Sequence, residues 1–249
     1  MATENTHVVD PTAAHTHTII FLHDRGSSCE EFANKLLGSM AAGLIDQPRT
    51  LRDLLPSVRW VFPRAPILPS KRLDTDVSQW FDIWSMQSPT ERPELQNPGL
   101  HQASRRISSV LEAEEARVPR ERIFLAGIGQ GFAVAITTFY INPRGNFAGL
   151  IGLGSWLPSA LCSDTYRRVA GSEWLTEEAG PSRNTPVFLS HSADDDVVPI
   201  ASGRELRNIA RVQKLRVEWR EYEDGGHWLK EPQGVDDIAH FINAQMAEG

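Results

Sequence analysis

The sequence predicts an α/β fold, a mostly parallel central sheet with helices on both faces. Three observations predict it. Short apolar runs rich in β-branched residues alternate along the chain with segments whose apolar residues recur at helical spacing. The length, 249 residues, suits one such domain. Glycine-rich or acidic turns follow several of the apolar runs, and in parallel sheets those turns gather at one edge.

The elements follow in order. Residues 1–16 read as a flexible lead-in, and 17–249 as a single domain. His17 to Leu22 is a buried strand, followed by a turn at Gly26-Ser27-Ser28 and a helix from Cys29. Val58 to Phe62 is the next strand, stopped by the proline-rich stretch Pro63 to Arg72, which is expected to stay out of any sheet. An irregular stretch runs to about Leu100 and contains Trp80-Phe81-Asp82-Ile83-Trp84. A helix covers Ile107 to Val118. Ile123 to Ala126 is a strand, with a helix from Gln130 to Tyr140. Gly149 to Leu153 is a strand, Trp156 to Arg183 is polar with some helix, and Val187 to Ser190 is a strand. Ala201 to Val212 is a helix. Leu215 to Tyr222 alternates as an edge strand does, and Val235 to Met246 closes as a helix.

Composition narrows the function. The net charge is −7 with no basic run, which argues against nucleic-acid binding. No apolar run reaches the roughly 18–20 residues that span a bilayer. The first residues lack the basic and apolar regions of a signal peptide. Two cysteines, Cys29 and Cys162, make no disulfide scaffold, so a reducing, cytoplasmic setting is expected. No His, Cys or acidic cluster has metal-ligand spacing, and neither metal nor cofactor is expected.

Three post-strand loops carry chemistry. Gly127-Ile128-Gly129-Gln130-Gly131 matches the nucleophile elbow Gly-x-Ser-x-Gly everywhere but its centre, where Gly129 offers no nucleophile. The outer glycines serve a sharp turn, and the amide of Gln130 points into the site as an oxyanion donor. Asp194-Asp195-Asp196 follows a later strand, and Gly225-Gly226-His227 follows the last. Taken singly, each reads as an ordinary loop. Their order, elbow then Asp then His, is the hydrolase order.

With those motifs the chain resembles the acyl-protein thioesterase, lysophospholipase and small carboxylesterase branch of the α/β-hydrolases. The resemblance runs from about Thr18 to Ile242. It rests on Ile20 to His23, Phe62 to Pro66, Trp80 to Ile83, Gly127 to Gly131, Leu153 to Pro158, Asp195 to Pro199 and Gly226-His227. It implies an α/β-hydrolase fold with no large separate cap domain. It implies Asp195 as the triad acid, His227 as the base, and the amides of Arg25 and Gln130 as the oxyanion hole. The substrate implied is a small, apolar ester, thioester or related carbonyl compound, walled by Trp80, Phe81, Trp84, Trp156 and Leu157.

Two departures stand out. Gly129 replaces the family's serine, which removes the covalent serine step. Asp24 stands where the family has glycine, so a carboxylate lies beside the oxyanion hole. It either faces inward and opposes an oxyanion, or faces solvent as a turn residue. Three functions stay open: an esterase or thioesterase disabled by loss of its serine, an enzyme using His227 and Asp195 as a base without serine, and a non-catalytic binder.

Overall fold

The computed structural model describes residues 6–43, 49–142, 144–158, 161 and 185–248. Its centre is a seven-stranded sheet, β1 (Thr6–Val9), β2 (His17–Leu22), β3 (Val58–Pro63), β6 (Ile123–Ile128), β7 (Gly149–Leu153), β8 (Pro186–Ser192) and β9 (Arg216–Tyr222), in the order β1-β3-β2-β6-β7-β8-β9. All pairings are parallel except β1 with β3. The remaining strands, β4 (Ile67–Ser70) and β5 (Thr75–Ser78), form a separate antiparallel hairpin. The main helices are α1 (Cys29–Gly38), α3 (Gln96–Glu115), α4 (Gln130–Ile141), α5 (Ile200–Val212) and α6 (Gln233–Glu248), with a single turn, α2, at Leu51–Leu54.

Strands β2, β6, β7 and β8 are buried along their whole length, as parallel strands covered on both faces must be. One apolar cluster, with Phe132, Phe139, Leu125 and Ile107, lies against α3 and α4 on one face. The other, with Phe21, Phe124, Phe188 and Phe241, lies under α1 and α6. Helix α4 is buried from Gln130 to Phe139, so no polar face is needed on it. Thr137 and Thr138 satisfy their hydroxyls on the carbonyls of Ala133 and Val134, at 2.7 and 2.9 Å.

The structure corrects three expectations and leaves one outside the described residues. The lead-in is not wholly flexible, because Thr6–Val9 pairs with β3 in the register Thr6↔Pro63 to Val9↔Trp60. Without it β3 would present an open edge, and an ion pair from Asp10 to Arg59 fastens the end. The proline-rich stretch does enter a sheet, since Pro69 sits in the two-stranded hairpin opposite Asp76. Helix α3 starts at Gln96, well before Ile107. Pro98 lies in its first turn, where the missing N–H has no partner to lose. The polar segment Trp156 to Arg183 falls largely outside the described residues, as does Cys162.

Two strand-order features decide where a site forms. β2 and β6 are neighbours, yet β2 is followed by a connection to β3 on its other side. The crevice beyond their carboxyl ends is the topological switch point of the sheet. Their register pairs Leu22 with Gly127. Asp24 and Gly129 each lie two residues past that pair.

The crossing is tight. A Cβ on Gly131 would lie 2.3 Å from the carbonyl oxygen of Leu22, and one on Gly127 would lie 2.3 Å from the amide nitrogen of Phe132. Gly131→Ala is therefore expected to destabilise the fold by about 1–3 kcal/mol through overpacking against rigid backbone. Gly38→Ala, at a helix end with nothing within 4 Å, is expected to be neutral or slightly stabilising. Urea unfolding midpoints of the two variants check this, and equal midpoints would refute it.

Candidate active site

Four loops converge at the carboxyl edge. They bring Asp24 after β2, Gly129 after β6, Asp195 after β8 and His227 after β9. Gly129 begins α4 at φ +52° and ψ −121°, a conformation side chains resist. Its amide donates to the carbonyl of Leu153 at 3.0 Å, and the Ser155 hydroxyl donates to its carbonyl at 2.7 Å. The Ser155 hydroxyl is thus engaged with backbone beneath the elbow.

Asp24 faces inward. Its Oδ1 accepts the Gln130 amide at 2.7 Å, and its Oδ2 lies 3.1 Å from Nε2 of His227. The carboxylate lies directly over Gly129: a Cβ at position 129 would stand 2.2 Å from Oδ1. Any side chain at position 129 would have to push the carboxylate aside. The anion site at the Gln130 amide, expected to be open to substrate, is filled by the protein's own carboxylate.

The backbone around Asp24 is pinned from below. His23 is fully buried, and burial pushes its imidazole below the ordinary value. Its Nε2 accepts the Ala65 amide at 3.1 Å, so its Nδ1 carries the proton and donates to the Asp24 carbonyl at 2.8 Å. Trp80 Nε1 donates to the His23 carbonyl at 2.8 Å. Gln130 contributes through its side chain too. Its Oε1 accepts the Trp80 amide and its Nε2 donates to the Phe81 carbonyl, both at 2.8 Å. The Arg25 guanidinium donates to Gln79 Oε1 and to the Ser70 hydroxyl, at 2.8 and 2.9 Å, tying this loop to the β4–β5 hairpin.

Asp195 is held independently. Its Oδ1 accepts the amides of Val197 and Val198, at 3.0 and 2.9 Å. Its Oδ2 accepts from His227 Nδ1 at 2.8 Å and lies 3.1 Å from Nε2 of His191. Burial alone would raise this carboxyl, but hydrogen bonds from His191, His227 and the Val198 amide hold it well below the usual carboxylate range. His191 was not singled out from the sequence. It lies inside a strand, and only the three-dimensional return of the chain four residues later puts it against Asp195. Gly154 backs the pair at φ +49°, where a Cβ would come within 3.1 Å of Asp195 Oδ2 and 3.2 Å of the His227 ring.

His227 thus stands between two carboxylates. Each ring nitrogen faces a carboxylate oxygen, Nδ1 that of Asp195 and Nε2 that of Asp24, an arrangement that favours the imidazolium form. Burial lowers its affinity for the proton, but the hydrogen bonds and charges of Asp195 and Asp24 outweigh that and push it up to about 9. The loop that presents it turns through Gly225 and Gly226, both at positive φ, and the Gly226 amide donates to Asp194 Oδ1 at 2.8 Å. The Asp24 and His227 side chains keep 16% and 12% exposure, so the site reaches the surface.

The expected aromatic wall is placed differently. Trp80 and Phe81 are 1% and 0% exposed and pack in the core, and Trp156 and Leu157 are buried as well. A tryptophan is readily buried when its N–H finds an acceptor, as that of Trp80 does in His23. Trp84 is the partly exposed member, under the guanidinium of Arg92 at 4.6 Å. An open cleft of about 460 Å³ flanks the Asp24 loop, between Gly26–Ser28 and Arg64–Ile67. Among the described residues no cluster is placed to hold a metal ion, and no helix is long and apolar enough to cross a membrane.

This sheet order, with an elbow, an acid and a histidine on the loops after β6, β8 and β9, defines an α/β-hydrolase fold. The chain belongs to the phospholipase/carboxylesterase family, whose model matches residues 3–246. Among curated relatives, an acyl-protein thioesterase 1 of Yarrowia lipolytica is 27% identical over 93% of this chain and 91% of its own length. One from Gibberella zeae is 26% identical over 96% and 95%. The solved structure of Zea mays acyl-protein thioesterase 2 superposes with a TM-score of 0.73 at 22% identity, covering 97% of this chain and 98% of that one.

The His227 proton gives a pH prediction. A histidine whose folded-state affinity is raised contributes stability that is complete below the unfolded value near 6.5 and is lost as pH rises through about 9. The melting temperature is expected to fall across that window. In Asp24→Asn the fall is expected to be smaller and to lie at lower pH, because one of the two carboxylates is gone. Melting curves from pH 6 to 10 on both proteins check it, together with the imidazole resonance of His227. An unshifted resonance in the variant would sink the assignment.

Proposed function

We propose that this chain is a non-serine enzyme of its family, in which an Asp24–His227–Asp195 array replaces Ser–His–Asp. It acts on a small, largely apolar substrate at the carboxyl edge of the sheet. The observation that carries this reading is the Asp24 carboxylate lodged over Gly129, joined at once to the Gln130 amide and to His227 Nε2.

A serine site with its hydroxyl merely removed would leave a gap above the elbow. Here the gap and the carboxylate are complementary in shape, hydrogen bonding and charge, which supports Gly129 and Asp24 as one unit. The same arrangement argues against ordinary ester or thioester cleavage. A carbonyl oxygen becoming an oxyanion needs the Gln130 amide, and it would meet a carboxylate there. The relatives are named acyl-protein thioesterases. For this chain we read the fold as retained and the acyl-transfer step as replaced. His227 supplies the acid in the resting state, and becomes a base once the charge on Asp24 is masked or displaced. The two-cysteine composition supports a cytoplasmic setting.

Hydrolysis of 4-nitrophenyl butyrate and of a short acyl thioester tests this. The native chain and Gly129→Ser alone are both expected to stay near background, since a serine must displace the Asp24 carboxylate and that carboxylate still competes for the Gln130 amide. The double variant Asp24→Gly/Gly129→Ser is expected to gain about 10²–10³-fold, the order that a working oxyanion donor supplies. Brisk ester turnover by the native chain, or full recovery in Gly129→Ser alone, would overturn the reading.

A further inference from the structure

We propose that Asp24 is the covalent nucleophile of this site, and that it attacks a saturated carbon carrying an oxygen leaving group, as in an epoxide. The inference rests on the reading that Asp24 belongs to the working site, and it names the bond that is made.

The two carboxylate oxygens have different surroundings. Oδ1 sits on the Gln130 amide at 2.7 Å. Oδ2 faces His227 and the surface-accessible side of the site, 3.1 Å from Nε2. A carboxylate so fixed is a nucleophile through Oδ2 with its second oxygen already on an amide donor. The class of electrophile follows from which oxygen that donor serves. Attack on an ester carbonyl would put the developing oxyanion on the substrate, but Asp24 itself occupies the Gln130 amide. Attack on a saturated carbon develops no oxyanion at a carbonyl. It leaves an Asp24 alkyl ester, and the oxyanion appears later on Oδ1, when water adds to Cγ. The Gln130 amide is in place for that step before the reaction begins.

The steps balance as follows. An Oδ2 lone pair forms a bond to an epoxide carbon while the ring C–O bond breaks, and the His227 imidazolium protonates the alkoxide released. Neutral His227 then takes a proton from water, and the hydroxide adds to Cγ of the ester. The tetrahedral intermediate holds its negative oxygen at the Gln130 amide. Collapse breaks the Cγ–Oδ2 bond, so the original Oδ2 leaves with the product. The proton of the new carboxyl group passes to that departing oxygen. The net change is epoxide plus water to diol, and both the Asp24 carboxylate and the His227 imidazolium are regenerated.

His227 suits the sequence of events. While Asp24 is charged, two carboxylates hold the imidazole protonated. Once Asp24 is an ester, one charge is gone and only Asp195 remains, so the ring releases its proton readily and serves as the base for water. Formation of the ester is itself what frees the base. Asp195, tied to two amides and to His191, keeps the ring in place throughout.

The full chain with styrene oxide and with 4-nitrophenyl glycidyl ether provides the test. In water enriched in the heavy oxygen isotope, turnover is expected to place the label in the carboxyl group of Asp24, read by peptide mass spectrometry. In the first turnover the diol is expected to carry light oxygen from Asp24. His227→Gln is expected to accumulate an adduct on the Asp24 peptide, with the fold checked by circular dichroism. Asp24→Asn is expected to lose roughly 10³-fold or more of the turnover. If diol forms with heavy oxygen in the first turnover and none in Asp24, water attacks directly. The nucleophile assignment then fails while the non-serine reading stands. If neither epoxide labels Asp24 nor gives an adduct in His227→Gln, the assignment is overturned, and the ester experiment judges the broader reading separately.

Discussion

Everything at this site depends on one steric exchange. The carboxylate of Asp24 takes the volume that a side chain at position 129 would need, and in return it receives the amide of Gln130 and the ring of His227. The exchange is possible because β2 and β6 are hydrogen-bonded neighbours in register, so the residues two steps beyond Leu22 and Gly127 meet across the crevice. The same register sets the tight glycine contacts at Gly127 and Gly131. Position 129 is left to glycine for two reasons. Its backbone has positive φ, and a carboxylate lies where its Cβ would go.

The carboxylate is not left to find that position alone. A chain of hydrogen bonds runs from the core outward: Gln130 to Trp80 and Phe81, Trp80 to His23, His23 to Ala65 and to the Asp24 carbonyl. Each member is buried and each is satisfied by a partner in a different loop, which makes the arrangement costly to distort. These residues hold the Asp24 backbone; the Asp24 side chain makes the contacts with Gln130 and His227. The aromatic segment at Trp80 therefore shapes the site by supporting its floor.

The sequence carried the fold well because its parallel strands are buried on both faces and so read as unbroken apolar runs, as at Ile123 to Ile128. It carried β1 and the β4–β5 hairpin poorly. Thr6–Val9 is short and half-buried and owes its place to the exposed edge of β3, a tertiary need that no local pattern records. The early start of α3 was hidden by Pro98, a residue that breaks helices in their interior but not in their first turn. At the site, the order of elbow, acid and histidine was legible, since the loops follow strands whose identity was clear. The direction of Asp24 was not. An aspartate after a strand reads equally as a turn residue, and only the β2–β6 register with the missing Cβ at 129 settles that it points inward. His191 was invisible for a related reason, since its partner Asp195 lies across a turn whose geometry comes from the Val197 and Val198 amides.

The two carboxylates that hold His227 are unequal, and that inequality gives the site its direction. Asp195 has hydrogen bonds from two amides and His227, the His191 ring close by and a fully buried side chain, so its charge is fixed by the fold. Asp24 has one amide and the histidine, and it keeps some exposure. Any reaction that removes a charge from this array will therefore remove it from Asp24, at the open side, while the Asp195–His227 hydrogen bond persists. A ring held by one permanent and one consumable carboxylate alternates between acid and base according to the state of the second. In the serine arrangement the histidine borrows its proton from the nucleophile. Here the ring already holds a proton, and the nucleophile needs none removed, because it is a carboxylate from the start.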